Sequence, residues 1–233
     1  MSLSVNALIA GYGKKRILKG VALETHEKEI VTLIGHNGAG KTTCLKAIFG
    51  LIPIEDGTVK FNDVNLTHHG PGARVKEGIA LVPQERGIFP HLSVLENLQL
   101  AAYFITDRSL YKERIEEIHQ LFPVLRERKW QQAGSLSGGE QQMLSLGIAL
   151  MRRPKLIILD EPSGGLAPFL VDRTIETIKE INQQFGMAIL LVEQNVKKAL
   201  AIADRVYVMK MGQIILEEEA SRVLKRSELW DLF

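Results

Sequence analysis

At 233 residues, with 45% hydrophobic and 24% charged side chains, the chain suits one globular domain with a buried core. A net charge of +2 is too small for a nucleic-acid footprint, and a single cysteine excludes an intrachain disulfide framework, which fits a reducing compartment. No charged n-region with an apolar stretch opens the chain, and no apolar run approaches the ~20 residues of a membrane span. The composition therefore predicts a soluble protein, or one that reaches a membrane only by contact with other chains.

In chain order, Leu3 to Ala10 alternates weakly and runs into Gly11-Tyr12-Gly13 and the basic Lys14-Lys15-Arg16. Together with Val59 to Phe61, which precedes an Asn62-Asp63 turn, it predicts antiparallel strands laid beside the core. Ile30 to Ile34 reads as a short buried strand. Gly35-His36-Asn37-Gly38-Ala39-Gly40-Lys41-Thr42-Thr43 follows, and helical spacing then puts Leu45, Ile48 and Phe49 on one face before Gly50. A strand, a glycine-rich loop and a helix are the context that the G-x-x-x-x-G-K-[ST] pattern needs. Its backbone N–H groups and the positive end of the helix cradle a phosphate chain, Lys41 reaches the terminal phosphates, and the Thr42 hydroxyl faces Mg²⁺. The expectation is nucleotide binding. Cys44, in the same helix, is read as packing.

His68-His69-Gly70-Pro71-Gly72 reads as a solvated turn rather than a metal site, and Ile79 to Val82 as a strand ending at Pro83-Gln84. Residues 89–150 then change character and predict a helical insertion between strands of the core. Ser93-Val94-Leu95-Glu96 spells a capping box that starts one helix, which runs to about Tyr103. A second helix carries Ile115, Ile118, Leu121 and Phe122 on one face and stops at Pro123, and Arg126 to Lys129 reads as a solvated face. Leu136-Ser137-Gly138-Gly139-Glu140-Gln141 precedes a helix with Met143, Leu144, Gly147, Ile148 and Met151 spaced for packing. A serine and two glycines at a helix start predict a second anion site.

Leu156 to Leu159 is fully apolar, as a buried parallel strand requires, and leads directly into Asp160-Glu161. Beside a phosphate loop, Asp160 is placed to hold Mg²⁺ opposite Thr42, and Glu161 to orient or deprotonate an attacking water. A helix through Ile175, Ile178 and Ile181, the strand Ala188 to Val192, and a helix capped by Asn195 follow. Val206 to Met209 and Gln213 to Leu216 flank Met211-Gly212 as a hairpin, and the apolar tail Ser227 to Phe233 reads as a last docked helix.

Taken together, these residues closely resemble the ATP-binding-cassette ATPases over essentially the whole chain, with Leu136 to Glu140 similar to the family's signature motif. The resemblance implies an α/β fold: a P-loop NTPase (RecA-like) core, an N-terminal antiparallel β subdomain and an inserted α-helical subdomain near 89–150, within one ATPase domain spanning 1–233. It implies that ATP is held between the phosphate loop of one chain and Ser137, Gly138, Gly139 and Glu140 of a second, either a paralogue or a copy. It places Gln84 as the glutamine linking Mg²⁺, the attacking water and a transmembrane partner, and Tyr12 as the aromatic stacked on adenine. Two departures stand out. Gln194 occupies the position of the family's γ-phosphate histidine, and Ala167 that of an aspartate, which opens the alternative of a cassette acting mainly as an ATP-bound switch.

Val192-Glu193-Gln194-Asn195, Gly165-Leu166-Ala167-Pro168 and Leu121-Phe122-Pro123 are similar to the ATPases of branched-chain amino-acid importers. That narrower resemblance implies an ATP-hydrolysing subunit on the cytoplasmic face of the membrane, working with permease chains and an extracytoplasmic solute-binding protein. Urea or short-chain amide importers, an exporter or lipid-extraction system, and a soluble non-transport ATPase are the alternatives.

Overall fold

The structure, a computed structural model, describes residues 3–225. The tail read from Ser227 to Phe233 lies outside the described residues. The chain opens with β1 (Leu3–Tyr12), β2 (Lys15–Thr25), β3 (Ile30–Ile34), α1 (Lys41–Phe49), β4 (Ile54–Phe61) and β5 (Val64–Asn65). Then come α2 (Pro71–Glu77), β6 (Ile79–Val82), α3 (Val94–Ala101), α4 (Arg108–Leu121), α5 (Pro123–Glu127), a 3₁₀ turn at Ala133–Ser135, and α6 (Gly138–Leu150). The last third holds β7 (Leu156–Asp160), α7 (Pro168–Phe185), β8 (Ala188–Val192), α8 (Val196–Ile202), β9 (Arg205–Lys210), β10 (Gln213–Glu219) and α9 (Ala220–Val223).

Six strands form the central sheet in the order β10-β9-β3-β8-β7-β6, with every pair parallel except β9 and β10. Parallel strands are covered on both faces and so carry continuous apolar runs, and β3, β7 and β8 are buried along their whole length. The one polar side chain inside β3, Thr32, is satisfied by donating to the Leu191 carbonyl at 3.2 Å. A second, antiparallel sheet, β2-β1-β4-β5, lies on one side, and α1 is buried between it and the central sheet. Helices α3 to α7 pack on the other side with Ile157, Ile189 and Leu191. The helices from α3 to α6 are thus inserted between the edge strand β6 and its neighbour β7.

Two elements have no signature in the periodicity. β2 is interrupted at Gly20, which takes a left-handed φ of 85°, opposite register shifts in β1, so its buried positions do not alternate cleanly. The residues read as the turn His68 to Gly72 instead lead into α2, with Gly70 as its cap and Pro71 in the first turn, where a missing N–H costs nothing. Pro123 likewise starts α5 rather than leaving a loop. Arg126 to Lys129 lies at the surface as read, with Arg126 ion-paired to Glu116 and Arg128 to Glu140 at 2.8 Å while both arginines stay about half exposed.

Arg74, on α2, is fully buried beside Gly50, the glycine that ends α1. Its guanidinium donates to the carbonyls of Ile48 (2.5 Å) and His69, so a cation sits at the negative end of the helix that carries Lys41 and Thr42. Arg74→Ala is expected to lower stability by about 2–4 kcal/mol, because it leaves a cavity and strips the buried Ile48 carbonyl of its donor. Chemical denaturation with an unchanged m-value is the check.

Candidate functional site

The strand register decides where the site lies. Leu33 pairs with Val192 and Val192 with Asp160, so β3, β8 and β7 end at one edge of the sheet. Ligands of parallel sheets bind beyond the carboxyl ends of the strands. The loops 35–40, 161–167 and 193–195 all leave from this edge, and Pro83-Gln84 follows β6 beside it.

In the first loop, backbone contact dictates glycine: a Cβ at Gly35 would lie 2.2 Å from the Met209 carbonyl. Gly40 caps α1 at φ 111°, and no side chain caps the helix, so its first-turn amides keep their positive field for a ligand. Gly38 and Gly40 to Thr43 line a cavity of about 510 Å³ together with the half-exposed Tyr12, Gln84, Glu161 and Gln194. Gly35, His36, Asn37 and Lys41 line an adjoining space of about 560 Å³ that also reaches Gln194. Ala39 is buried beneath the loop, its carbonyl accepting from Gly212 N–H at 2.8 Å.

Lys41 Nζ donates to the carbonyls of Gly35 (2.8 Å) and His36 (3.1 Å), bracing the crescent of its own loop. Burial holds its pKa below the usual lysine range, against the opposing pull of Glu161 and Asp160. Thr42 Oγ1, in the first turn of α1, donates to Asp160 Oδ1 at the end of β7 at 3.1 Å. Burial pushes the Asp160 carboxyl up, while the Thr42 hydrogen bond, Lys46 and Lys41 hold it down.

Glu161 is the centre of the arrangement. Its backbone adopts φ 50°, a left-handed conformation unusual for a side chain of this size. One carboxylate oxygen, Oε2, accepts from Gln84 Nε2 at 3.0 Å and from Gln194 Nε2 at 2.9 Å. Burial raises its pKa, Lys41 lowers it, Asp160 and Glu193 raise it, and Gln194 lowers it. The amide of Gln194, placed by resemblance at a phosphate, is therefore engaged with Glu161.

Ser137 to Glu140 line neither cavity. Ser137 is the N-cap of α6 and accepts from Glu140 N–H at 3.4 Å, while the Glu140 carboxylate accepts from Ser137 N–H at 2.8 Å and pairs with Arg128. The predicted second anion site thus carries an acid in its first turn, neutralised by an arginine. The same S-x-x-E spelling that marks the cap at Ser93 stands at Ser137, and was a signal available from the residues. The Val192-Glu193-Gln194-Asn195 string assigns no role to Glu193, a carboxylate only 2% exposed that accepts N–H groups of Gln194 (2.7 Å), Asn195 (3.1 Å) and Ser163 (3.3 Å). It ties the loop after β7 to the loop after β8.

Residues 18–164 match the family model described as ABC transporter. Over 231 residues the chain is 40% identical to the high-affinity branched-chain amino acid transport ATP-binding protein BraG of Pseudomonas aeruginosa, covering 99% of this chain and 98% of that one. It is 38% identical to the probable branched-chain amino acid transport ATP-binding protein LivF of Archaeoglobus fulgidus, over 95% and 93% of the two chains. Among solved structures, a nucleotide-free ATP-binding cassette from an ABC transporter superposes with a TM-score of 0.84 at 27% identity, over 100% of this chain and 98% of that one. With a phosphate loop closed by Lys41, a Thr42–Asp160 pair and Glu161 held at the same sheet edge, the chain belongs to the ABC transporter family as an ATP-binding, ATP-hydrolysing cassette.

Proposed function

We propose that the chain is the ATPase subunit of an importer for branched-chain or related hydrophobic amino acids. The observation that carries the catalytic half of this reading is the Glu161 carboxylate, fixed by two amides beside Lys41 and the Thr42–Asp160 pair. The amino-acid half is supported by the two relatives, which share nearly the full length of this chain.

In this reading Lys41 exchanges its two loop carbonyls for the terminal phosphate oxygens of ATP, and the α1 amides take the rest of the negative charge. Thr42 Oγ1 and Asp160 Oδ1 are hard oxygens close enough to face one cation, which fits an ion that keeps several waters and takes few protein ligands. Thr42 and Asp160, with Gln84 alongside, would hold Mg²⁺, which neutralises the phosphates when bound. Glu161 accepts the proton of the water that attacks the terminal phosphate, and a carboxyl raised by burial is the stronger base for it. Gln84 and Gln194 hold that carboxylate in line, and Tyr12 stacks on the adenine.

Because Ser137 to Glu140 stand clear of both cavities, a second cassette is needed to bring a signature helix onto the bound ATP. Among the described residues no helix is long and apolar enough to cross a membrane, so permease chains supply the membrane path and hold the cassette at its cytoplasmic face. Their docking place is a groove of about 480 Å³ where α2 and the end of α1 meet α3 and α6, lined by Phe49, Val75, Leu100, Phe104, Ile148 and Arg152. Phe104, 70% exposed, is the apolar anchor there. A solute-binding protein on the far side of the membrane delivers the amino acid.

Proteoliposomes holding the complex with its permeases, charged with ATP inside and given the binding protein outside, are expected to take up leucine. Uptake of urea instead of leucine, or ATP-dependent release of lipid with no uptake of either, would replace the amino-acid importer with one of those systems.

A further inference from the structure

Gln84 and α6 are joined by a residue that no motif singles out. Two positions after Gln84, Arg86 sits at a left-handed φ of 64° and is followed by Gly87 at φ 60°, a tight reversal that turns the Arg86 side chain back toward α6. Its Nη1 donates to Gln141 Oε1 at 2.6 Å. Gln141 is not free to swing away, because its Nε2 donates to the carbonyls of Ala133 (3.3 Å), Gly134 (3.3 Å) and Leu136 (3.2 Å) in the turn that enters α6. One turn further along α6, the buried Ser145 hydroxyl donates to the Arg86 carbonyl. The guanidinium also lies against Gly138 so closely that a Cβ there would be 3.1 Å from Nη2.

The loop that carries Gln84 is therefore bonded to the start of α6 through the Arg86 side chain and its backbone. At its other end, Gln84 is bonded to Glu161. We propose that Arg86 is a positioning residue that couples nucleotide in this chain's own phosphate loop to the orientation of its Ser137–Glu140 helix start. The arriving terminal phosphate and its cation shift Glu161 together with the Gln84 amide bonded to it, and the Arg86–Gln141 bond carries that shift of the loop to α6. Ser137 and the α6 amides are in turn what this chain presents to ATP on a second cassette, so one site primes the other. This inference rests on the two-cassette reading above, but the coupling itself is measurable within one chain.

The test is hydrogen–deuterium exchange of the full chain, at a concentration where sedimentation shows a monomer, with and without Mg²⁺ and β,γ-imido-ATP. In the wild type, nucleotide is expected to slow exchange across 35–43 and to change it across 136–150 by about fivefold, the lower end of measured site couplings. Arg86→Ala is expected to keep the response at 35–43 and the nucleotide affinity, and to lose the response at 136–150. A merely structural tie would instead lower the melting temperature and raise exchange at 136–150 equally with and without nucleotide. The double variant Arg86→Lys with Gln141→Glu, which rebuilds the tie as an ion pair, is expected to restore the response. A nucleotide response at 136–150 that survives in Arg86→Ala, or is missing from the wild type while 35–43 still responds, overturns the coupling. No response at 35–43 in the wild type overturns the nucleotide site itself and the coupling with it. Failure of ATP to assemble a cassette pair in the full complex, with the coupling intact, would count against the two-cassette reading alone.

Discussion

Glu161→Gln is expected to reduce steady-state ATP turnover by about 10³-fold while leaving ATP affinity within a few-fold of the wild type. The substitution keeps the shape of the side chain and one oxygen for Gln84 and Gln194, and removes only the capacity to take a proton. Lys41, the α1 amides, Thr42 and Asp160 are untouched, so binding persists and a nucleotide-bound cassette pair accumulates. Turnover within threefold of the wild type would remove Glu161 from the role of base. The same variant carries a stability signature. Folding raises the Glu161 pKa above its ordinary value of 4.5, mainly through burial, so the fold favours the protonated form. That contribution is fully present below pH 4.5 and is lost as the pH rises through the folded value. Without nucleotide, Glu161→Gln is therefore expected to melt above the wild type at neutral pH, and the difference is expected to vanish as the pH falls below 4.5. Paired thermal melts across pH measure it.

Gln194→Ala is expected to lower turnover by about tenfold, as Gln84→Ala is, each by removing one hydrogen bond to a charged acceptor. The two amides serve the same oxygen of Glu161 at 2.9 and 3.0 Å, so their effects are coupled. Loss of either leaves the carboxylate free to rotate, and the double variant is expected to lose much less than the product of the single losses. A full hundredfold loss in the double variant would show that they act independently. Gln194 also holds the Glu161 carboxyl down, so its removal is expected to move the acidic limb of the kcat/KM profile to higher pH. Gln194→His separates the two roles of this position. An imidazole that becomes cationic near neutral pH would add attraction to phosphate, but it cannot reproduce an amide that is neutral at every pH. Turnover in this variant is expected to acquire a new dependence on pH between about 6 and 7.

The phosphate loop was legible because its chemistry is local: Gly35 to Thr43 needs only a strand before it, a helix after it, and glycines where no side chain fits. Asp160-Glu161 and the buried strands that end beside it were equally plain, since a continuous apolar run delivers the two acids that follow it straight to the edge of the sheet. β2 and α2 were hidden because their order comes from partners. Gly20 breaks the alternation of β2 opposite shifts in β1, and α2 buries only Arg74, a residue no hydrophobic pattern would select.

By itself, then, the sequence determined the parallel α/β core, the nucleotide loop and its acids, and the family, because each is spelled by neighbouring residues. Only the tertiary structure decided that Gln84 and Gln194, from the ends of two separate strands, meet on one oxygen of Glu161. It also decided that buried Glu193 binds two loops by their backbone amides, and that Arg86 ties the Gln84 loop to α6. The contacts of Gln84, Gln194 and Arg86, and that of Glu193 with Ser163, span 30 to 77 residues of chain. Strand order and register bring them together, and neither is written in any stretch short enough to read as a motif.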